Sequence, residues 1–415
     1  MKPDNDIAKS QLSSVLNSEL LFHSEKNIDH NMTLTKRNNN QINGTTEVIR
    51  ISSTEKETDP PFVPDIEGFY DRLINEAPYI PGDKMDLVPV SEIPWANPSL
   101  MKDGVKFGIC NLFALVMANT AALMFGFSVK PESVVLLKSG KFHQPENAFL
   151  RYMSTGKRIS TWYRCNICDV NSEGFKQIKA VRKLHTYYAK SSKPFPSLAE
   201  MGYTPDMKKL VNAIRKDLAH LKFPDAPEHL LTWNPPLQFS QFDVAMTQFG
   251  FIGLVYLYPK SLGVTNMELM DGFFHFWAVI GRLLGLEDRF NLALHADPKL
   301  FKKLYENIGM ASLKSTDKRV ISLQYALMEG LGKRLPLLTM KGWVYYGLKD
   351  QGDDFEGTEV WKLMNAKDKI CYYMIKGTMA GVRNNIIIRV FVNLLSLLLL
   401  QLSYWIYLPK GCPLT

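Results

Sequence analysis

From about residue 65 onward, apolar positions recur every three or four residues, the spacing of one helix face. The stretch "KQIKAVRKLHTYYAK" puts Ile178, Val181, His185 and Tyr188 on one stripe, with Lys176, Lys179, Arg182, Lys183 and Lys190 elsewhere. "TPDMKKLVNAIRKDLAHLK" is a second amphipathic helix, begun by Thr204 as its N-cap. "FHFWAVIGRLLGL" carries Phe273, Trp277, Ile280 and Leu284 at helical spacing, and its Gly281 and Gly285 leave room for a neighbouring helix. Strand-type alternation is scarce and no repeat period appears. The pattern predicts an all-α fold: one large helical bundle over residues 65–385 and a separate apolar helix at the C-terminus.

Two stretches are apolar enough to raise the question of a membrane. Residues 107–129 are interrupted by Asn111, Asn119 and Thr120 and are rich in small side chains, which suits a core helix of a bundle. Residues 390–408 hold no charge, and Tyr404, Trp405 and Tyr407 gather at one end. That is the pattern of a transmembrane helix, here a single-pass tail anchor. Arg383 and Arg389 before it and Lys410 after it favour a main domain on the cytosolic side, with the endoplasmic reticulum as the candidate membrane. Residues 1–60, rich in Asn, Ser, Thr, Lys and Glu, bury too little apolar surface to offset their ordering entropy and are expected to be disordered.

Composition narrows the class. With 46% apolar and 22% charged residues the chain has material for a substantial core. The net charge of +8 is concentrated: residues 174–222 hold eleven Lys/Arg against three acids. Such a stretch is either a set of solvated helix faces or a surface for anionic lipid or carboxylates. No nucleic-acid reader motif accompanies it. Cys165 and Cys168 form a C-x-x-C with no second pair at zinc spacing, and Asp169 stands where a covalent haem motif needs His. The five cysteines are therefore expected to be reduced. H-E-x-x-H, G-x-S-x-G and G-x-G-x-x-G are all absent.

The candidate chemistry sits between residues 149 and 189. His185 lies on the apolar stripe of its helix, where a histidine is either a satisfied core residue or the axial ligand of a b-type haem. Arg151 and Thr155, four residues apart, share a helix face and add a cation and a hydroxyl. Arg151-x-x-x-Thr155 followed thirty residues later by His185 inside "VRKLH" resembles the signature of the rubber oxygenase (latex clearing protein) and mpaB family. "KSGKFHQPENAFLRYMST", "SQFDVAMTQFGF" and "FWAVIGRLLGL" extend the resemblance over residues 107–291.

The resemblance implies an all-helical domain binding haem b, with His185 as proximal iron ligand and Arg151 and Thr155 beside the haem. It also implies cleavage or oxidation of an unsaturated isoprenoid or lipid chain by dioxygen. Latex clearing proteins carry a glutamate upstream of the arginine as a proposed base. The nearest acids here, Glu132 and Glu146, do not fall at the matching position.

Three further residues are weighed beside these. His275 is a candidate second haem ligand or a hydrogen-bonded core histidine. Asp243 follows Ser240 at capping-box spacing, and Arg282 either reaches a haem propionate or snorkels to the surface. The expected activity is that of a membrane-tethered haem oxygenase. A non-catalytic helical binding or scaffold protein that keeps the fold is the alternative.

Overall fold

Polar side chains take up the free N–H groups that begin the long helices. Asn97 accepts from the N–H of Ser99 at 2.9 Å, Thr204 from Met207 at 3.3 Å and Asp317 from Arg319 at 2.9 Å. Ser240 and Asp243 bond reciprocally in a capping box. The computed structural model describes residues 65–191, 193–350 and 355–408, so the segment expected to be disordered, 1–60, lies outside the described residues.

The chain from Ile66 onward forms one unit. Its main helices are α1 (Ile66–Asn75), α2 (Pro98–Cys110), α3 (Leu112–Ser128), α4 (Lys130–Ser139), α5 (Pro145–Arg164) and α6 (Glu173–Ala189). Then follow α7 (Pro205–Asp217), α8 (Gln241–Leu257), α9 (Met270–Leu284) and α10 (Lys318–Gly332). The series ends with α11 (Met340–Lys349), α12 (Ala366–Asn384) and α13 (Ile386–Tyr407). Among the described residues there is no strand, only an isolated bridge between Pro81 and Ser240. The fold is all-α.

Helix α2 packs on α9, α3 on α8, and α5 lies between α6 and α10. The α2–α9 crossing is close because glycines face each other. A Cβ on Gly104 would sit 2.3 Å from the carbonyl oxygen of Gly272. Gly281 leaves room for a neighbouring helix as the sequence suggests, since a Cβ there would meet Gln248 Nε2 of α8 at 2.6 Å. Gly285 instead ends α9 at φ 115° and lies against the backbone of Gly82 and Asp83. Between residues 298 and 310 a short helix (Pro298–Leu304) runs into a wider π turn (Tyr305–Met310).

The apolar run 107–129 is core, as expected, but it is not one helix. It breaks at Asn111, where α2 and α3 meet at 85°. The physical reason is the Asn111 amide, which donates to the carbonyls of Phe107 at 3.1 Å and Thr265 at 3.0 Å and accepts from the Thr265 N–H at 2.8 Å. It ties the bend to Thr265, while Asn393 takes up the Phe113 N–H and the Cys110 carbonyl at the bend.

Among the described residues α13 is long and apolar enough to cross a membrane. It begins at Ile386, four residues before the uncharged run, because Asn385 caps it through the N–H groups of Ile387 and Ile388. Nor does it hang free of the domain. One side is buried at Asn393 and Tyr404, and the other is bare, with Ile387 76% and Trp405 77% exposed.

Candidate functional site

Helix α5 carries Arg151, Thr155 and Arg158 on one face, since residues three and four apart overlie each other. Helix α6 packs beside it and brings Val181, His185 and Tyr188. With Glu132 from α4 and Asp243 from α8, these side chains line one cavity of 310 Å³, a volume at the lower end of small-molecule sites. The structure thus brings together Arg151, Thr155, His185 and Asp243. Arg158 and Glu132 join them without having been singled out. For Arg158 the signal was there, because it lies seven residues beyond Arg151 on the same helix face. Glu132 carried none, since its position relative to α5 depends on how α4 packs.

Four polar atoms around this cavity are fully buried and have no hydrogen-bond partner: His185 Nδ1, the Tyr152 hydroxyl, Trp162 Nε1 and Asp243 Oδ1. Buried polar groups are nearly always paired, so these four are unsatisfied groups in the residues that wall the cavity.

Burial sets the charge states. It drives the His185 pKa down to about 4, against the opposing pull of the Asp83 charge, leaving a neutral imidazole. That is the form that binds metal. Burial pushes the Asp243 carboxyl up to about 7, although two hydrogen bonds from Ser240 oppose it. Glu132 is raised well above the carboxylate range, by burial first and the charge of Asp243 second.

Two cations line the same cavity. The Arg151 guanidinium lies over the rings of Phe142 (5.6 Å) and Tyr188 (5.7 Å) and meets no carboxylate among the described residues. Arg158, buried, donates to Gln177 Oε1, and burial and the Arg151 charge hold its pKa below the usual arginine range. With Glu132 and Asp243 biased toward neutrality, the two arginines make the cavity complementary to an anionic group.

The "VRKLH" segment is fixed from outside the cavity. Arg182 donates to the carbonyls of Leu283 at 3.3 Å and Asp83 at 2.9 Å and to that of Met85, and Thr186 donates to Asp83 Oδ2 at 2.6 Å. These bonds pin α6 to the end of α9 and to the segment at Asp83–Met85, on either side of His185. The imidazole itself makes no hydrogen bond, so no acceptor fixes its tautomer, and its ring lies 5.0 Å from that of Phe239. Among the described residues no three His, Cys, Asp or Glu side chains converge as a metal-ion cage. A single histidine is the protein ligand that a haem iron needs and a bare ion does not settle for.

A second cavity, also of 310 Å³, adjoins the first. Glu132, Tyr152, Thr155 and Thr247 line both. Thr155 and Thr247 are classed as exposed in the middle of packed helices because their free surface faces these spaces. Val116, Phe249, Leu254, Leu400 and Tyr404 complete an almost wholly apolar lining, and Tyr305 and Gly309 of the π turn touch it.

The remaining candidates sit elsewhere. His275 Nε2 accepts from the Asn97 N–H at 2.8 Å and its ring meets Trp95 edge-on, so it is a structural histidine that joins α9 to the start of α2. Arg282 donates to the Asp86 carbonyl at 2.9 Å and lies 4.0 Å from Asp288; it does not line the cavity. Asp243 caps α8 through Oδ2, as its spacing suggests, and it also lines the cavity. Glu146 pairs at the surface with Lys333 and Arg334. Cys165 and Cys168 are free thiols. No protein-family model matches the chain, and neither does any curated protein or solved structure.

Proposed function

We propose that the protein is a membrane-tethered haem b oxygenase that oxidises or cleaves an unsaturated isoprenoid or other lipid chain with dioxygen. The observation that carries this reading is the convergence of an unbonded, neutral imidazole and two arginines on one cavity that adjoins a second, apolar one. His185 would hold the haem iron. Arg151 and Arg158 match the negative charge of the propionates, and the apolar walls suit a porphyrin face. Haem, when bound, supplies the oxygen chemistry, while the protein sets ligand, pocket polarity and access.

The chain's own groups have separate parts. Thr155 and Tyr152 line both cavities, where they would shape the place of a bound molecule; the Thr155 hydroxyl donates to the Arg151 carbonyl at 3.2 Å. Burial favours the protonated form of the Glu132 carboxyl, next to the same space. Helix α13 provides the membrane element.

The test is colour. Protein purified from a haem-supplied host shows a Soret band and about one iron per chain. His185→Ala abolishes both, whereas Arg151→Ala retains much of the haem. A colourless, stably folded preparation defeats this reading and leaves a non-catalytic binding or scaffold protein. Zinc or iron without porphyrin on elemental analysis would point instead to a hydrolase.

A further inference from the structure

The C-terminal helix has two opposed roles written on its two faces. Its inner face is part of a cavity wall: Leu400 and Tyr404 line the second chamber. Its outer face carries Ile387, Phe391, Leu395, Leu398, Leu402 and Trp405, spaced four, four, three, four and three residues apart, which is a single stripe along the helix. All six are exposed, from 40% at Leu395 to 77% at Trp405. No charged residue occurs from Val390 to Tyr407, while Arg383 and Arg389 stand at the start. One helix therefore separates an apolar chamber from a bare apolar surface.

We propose that this stripe lies in the surface of a lipid bilayer and that an apolar chain dissolved in the bilayer passes the α13 wall into the second chamber. The identification of that chamber as the substrate's place rests on the reading above, in which the first chamber holds the haem.

The occupant of the stripe is lipid for two reasons. An uncharged apolar stripe that runs the length of one helix face and ends at Trp405, while the opposite face is docked on the domain, matches the acyl edge of a membrane surface. The second is where the helix is held. From Asn393, bonded to α3, to Tyr407, whose ring meets that of Phe149 at 5.1 Å, it is docked over ~20 Å of its length. A helix fastened this way does not stand across a bilayer with the domain in water. It lies along the membrane face with the stripe turned into the acyl region.

The wall itself is thin at one point. Gly156 of α5 lies beneath Tyr404, where a Cβ would come within 3.2 Å of the hydroxyl. Tyr404 is 8% exposed, and its hydroxyl has no hydrogen-bond partner. No bond has to break for this ring to move aside. The chamber behind it reaches Thr155, which faces both cavities, so a chain lying there ends beside the first chamber.

The test uses the full chain in dioleoylphosphatidylcholine vesicles, with cis-parinaric acid as the apolar probe and the Soret band read in parallel. Replacing the lipid by its dibrominated form should quench tryptophan fluorescence, and Trp405→Phe should remove most of that quenching. Gly156→Phe should weaken probe binding at least tenfold while leaving the Soret band unchanged. Tyr404→Ala, which opens the wall without filling the chamber, should speed probe uptake several-fold and serves if Gly156→Phe does not fold.

Equal quenching in wild type and Trp405→Phe, or a dimer that buries the stripe in place of lipid, overturns the membrane placement. Uptake unchanged in Tyr404→Ala, or binding unchanged in a folded Gly156→Phe, overturns the route. A colourless protein that still binds the probe through this chamber would sink the haem reading and leave the route standing. A red protein that takes up no probe would do the reverse.

Discussion

Asn393, near the middle of the last helix, accepts a hydrogen bond from the backbone N–H of Phe113 at 2.9 Å, while its amide donates to the carbonyl of Cys110 at 2.7 Å. Both backbone groups belong to the bend between α2 and α3, where a continuous helix would have paired them. The last helix thus completes the hydrogen bonding of the domain core. Asn393→Ala leaves two buried backbone groups unpaired and should cost about 1–3 kcal/mol. Denaturant midpoints of the two proteins measure it; an unchanged midpoint would mean that α13 is an independent anchor.

Buried titratable groups in the first cavity give the haem-free protein opposing pH dependences. His185 protonates near 6.5 when unfolded and near 4 in the native state, so its contribution is present above 6.5 and lost as pH falls toward 4. Asp243 holds its proton up to about 7 in the native state against 3.8 when unfolded. Its contribution is therefore full below 3.8 and lost as pH rises through 7. Asp243→Asn keeps an acceptor for Ser240 and removes the second effect. Relative to wild type it should gain on the order of 3 kcal/mol between pH 4.5 and 7.5. Urea unfolding at the two pH values decides it, and an equal difference at both would show that Asp243 is charged in the native state.

The α2–α9 contact should tolerate nothing larger than glycine. A Cβ on Gly104 meets backbone rather than a side chain that can move, so Gly104→Ala should destabilise by about 1–3 kcal/mol. Gly347 of α11 provides the contrast, since nothing lies within 4 Å of a Cβ built there. Gly347→Ala should stabilise by roughly 0.5–1 kcal/mol. Thermal unfolding of the pair checks the sign of each.

Arg182 should matter to the site without touching it. Its three carbonyl partners hold the helix turn that carries His185. Arg182→Lys keeps the charge but loses the fork that spans three acceptors. Haem titration should show affinity at least tenfold weaker than wild type, with the Soret maximum unmoved because the ligand is unchanged. A shifted maximum would mean that the ligand itself has changed.

Local patterns in the sequence were enough for the helices themselves. Apolar spacing placed Ile178, Val181, His185 and Tyr188 on one face, Thr204 and Ser240 marked helix starts, and Gly281 and Gly285 marked close approaches. Each depends on residues within a turn or two of one another, and the backbone geometry of a helix carries that information directly. The same geometry put Arg151 and Thr155 side by side, with Arg158 a further turn along.

What lies across a helix face was decided by packing alone. Periodicity says that a stripe is buried but not against what. Nothing near Glu132 in sequence indicates that α4 would turn it toward Asp243, more than a hundred residues away. Asn111 and Asn393 read as polar interruptions in apolar runs, and only the fold makes one the pivot of a bend and the other its hydrogen-bond partner. The C-terminal helix reads from its composition as an anchor. Its contact with α3 and α5 makes it also a chamber wall, because a buried amide and an apolar ring find their partners only in three dimensions.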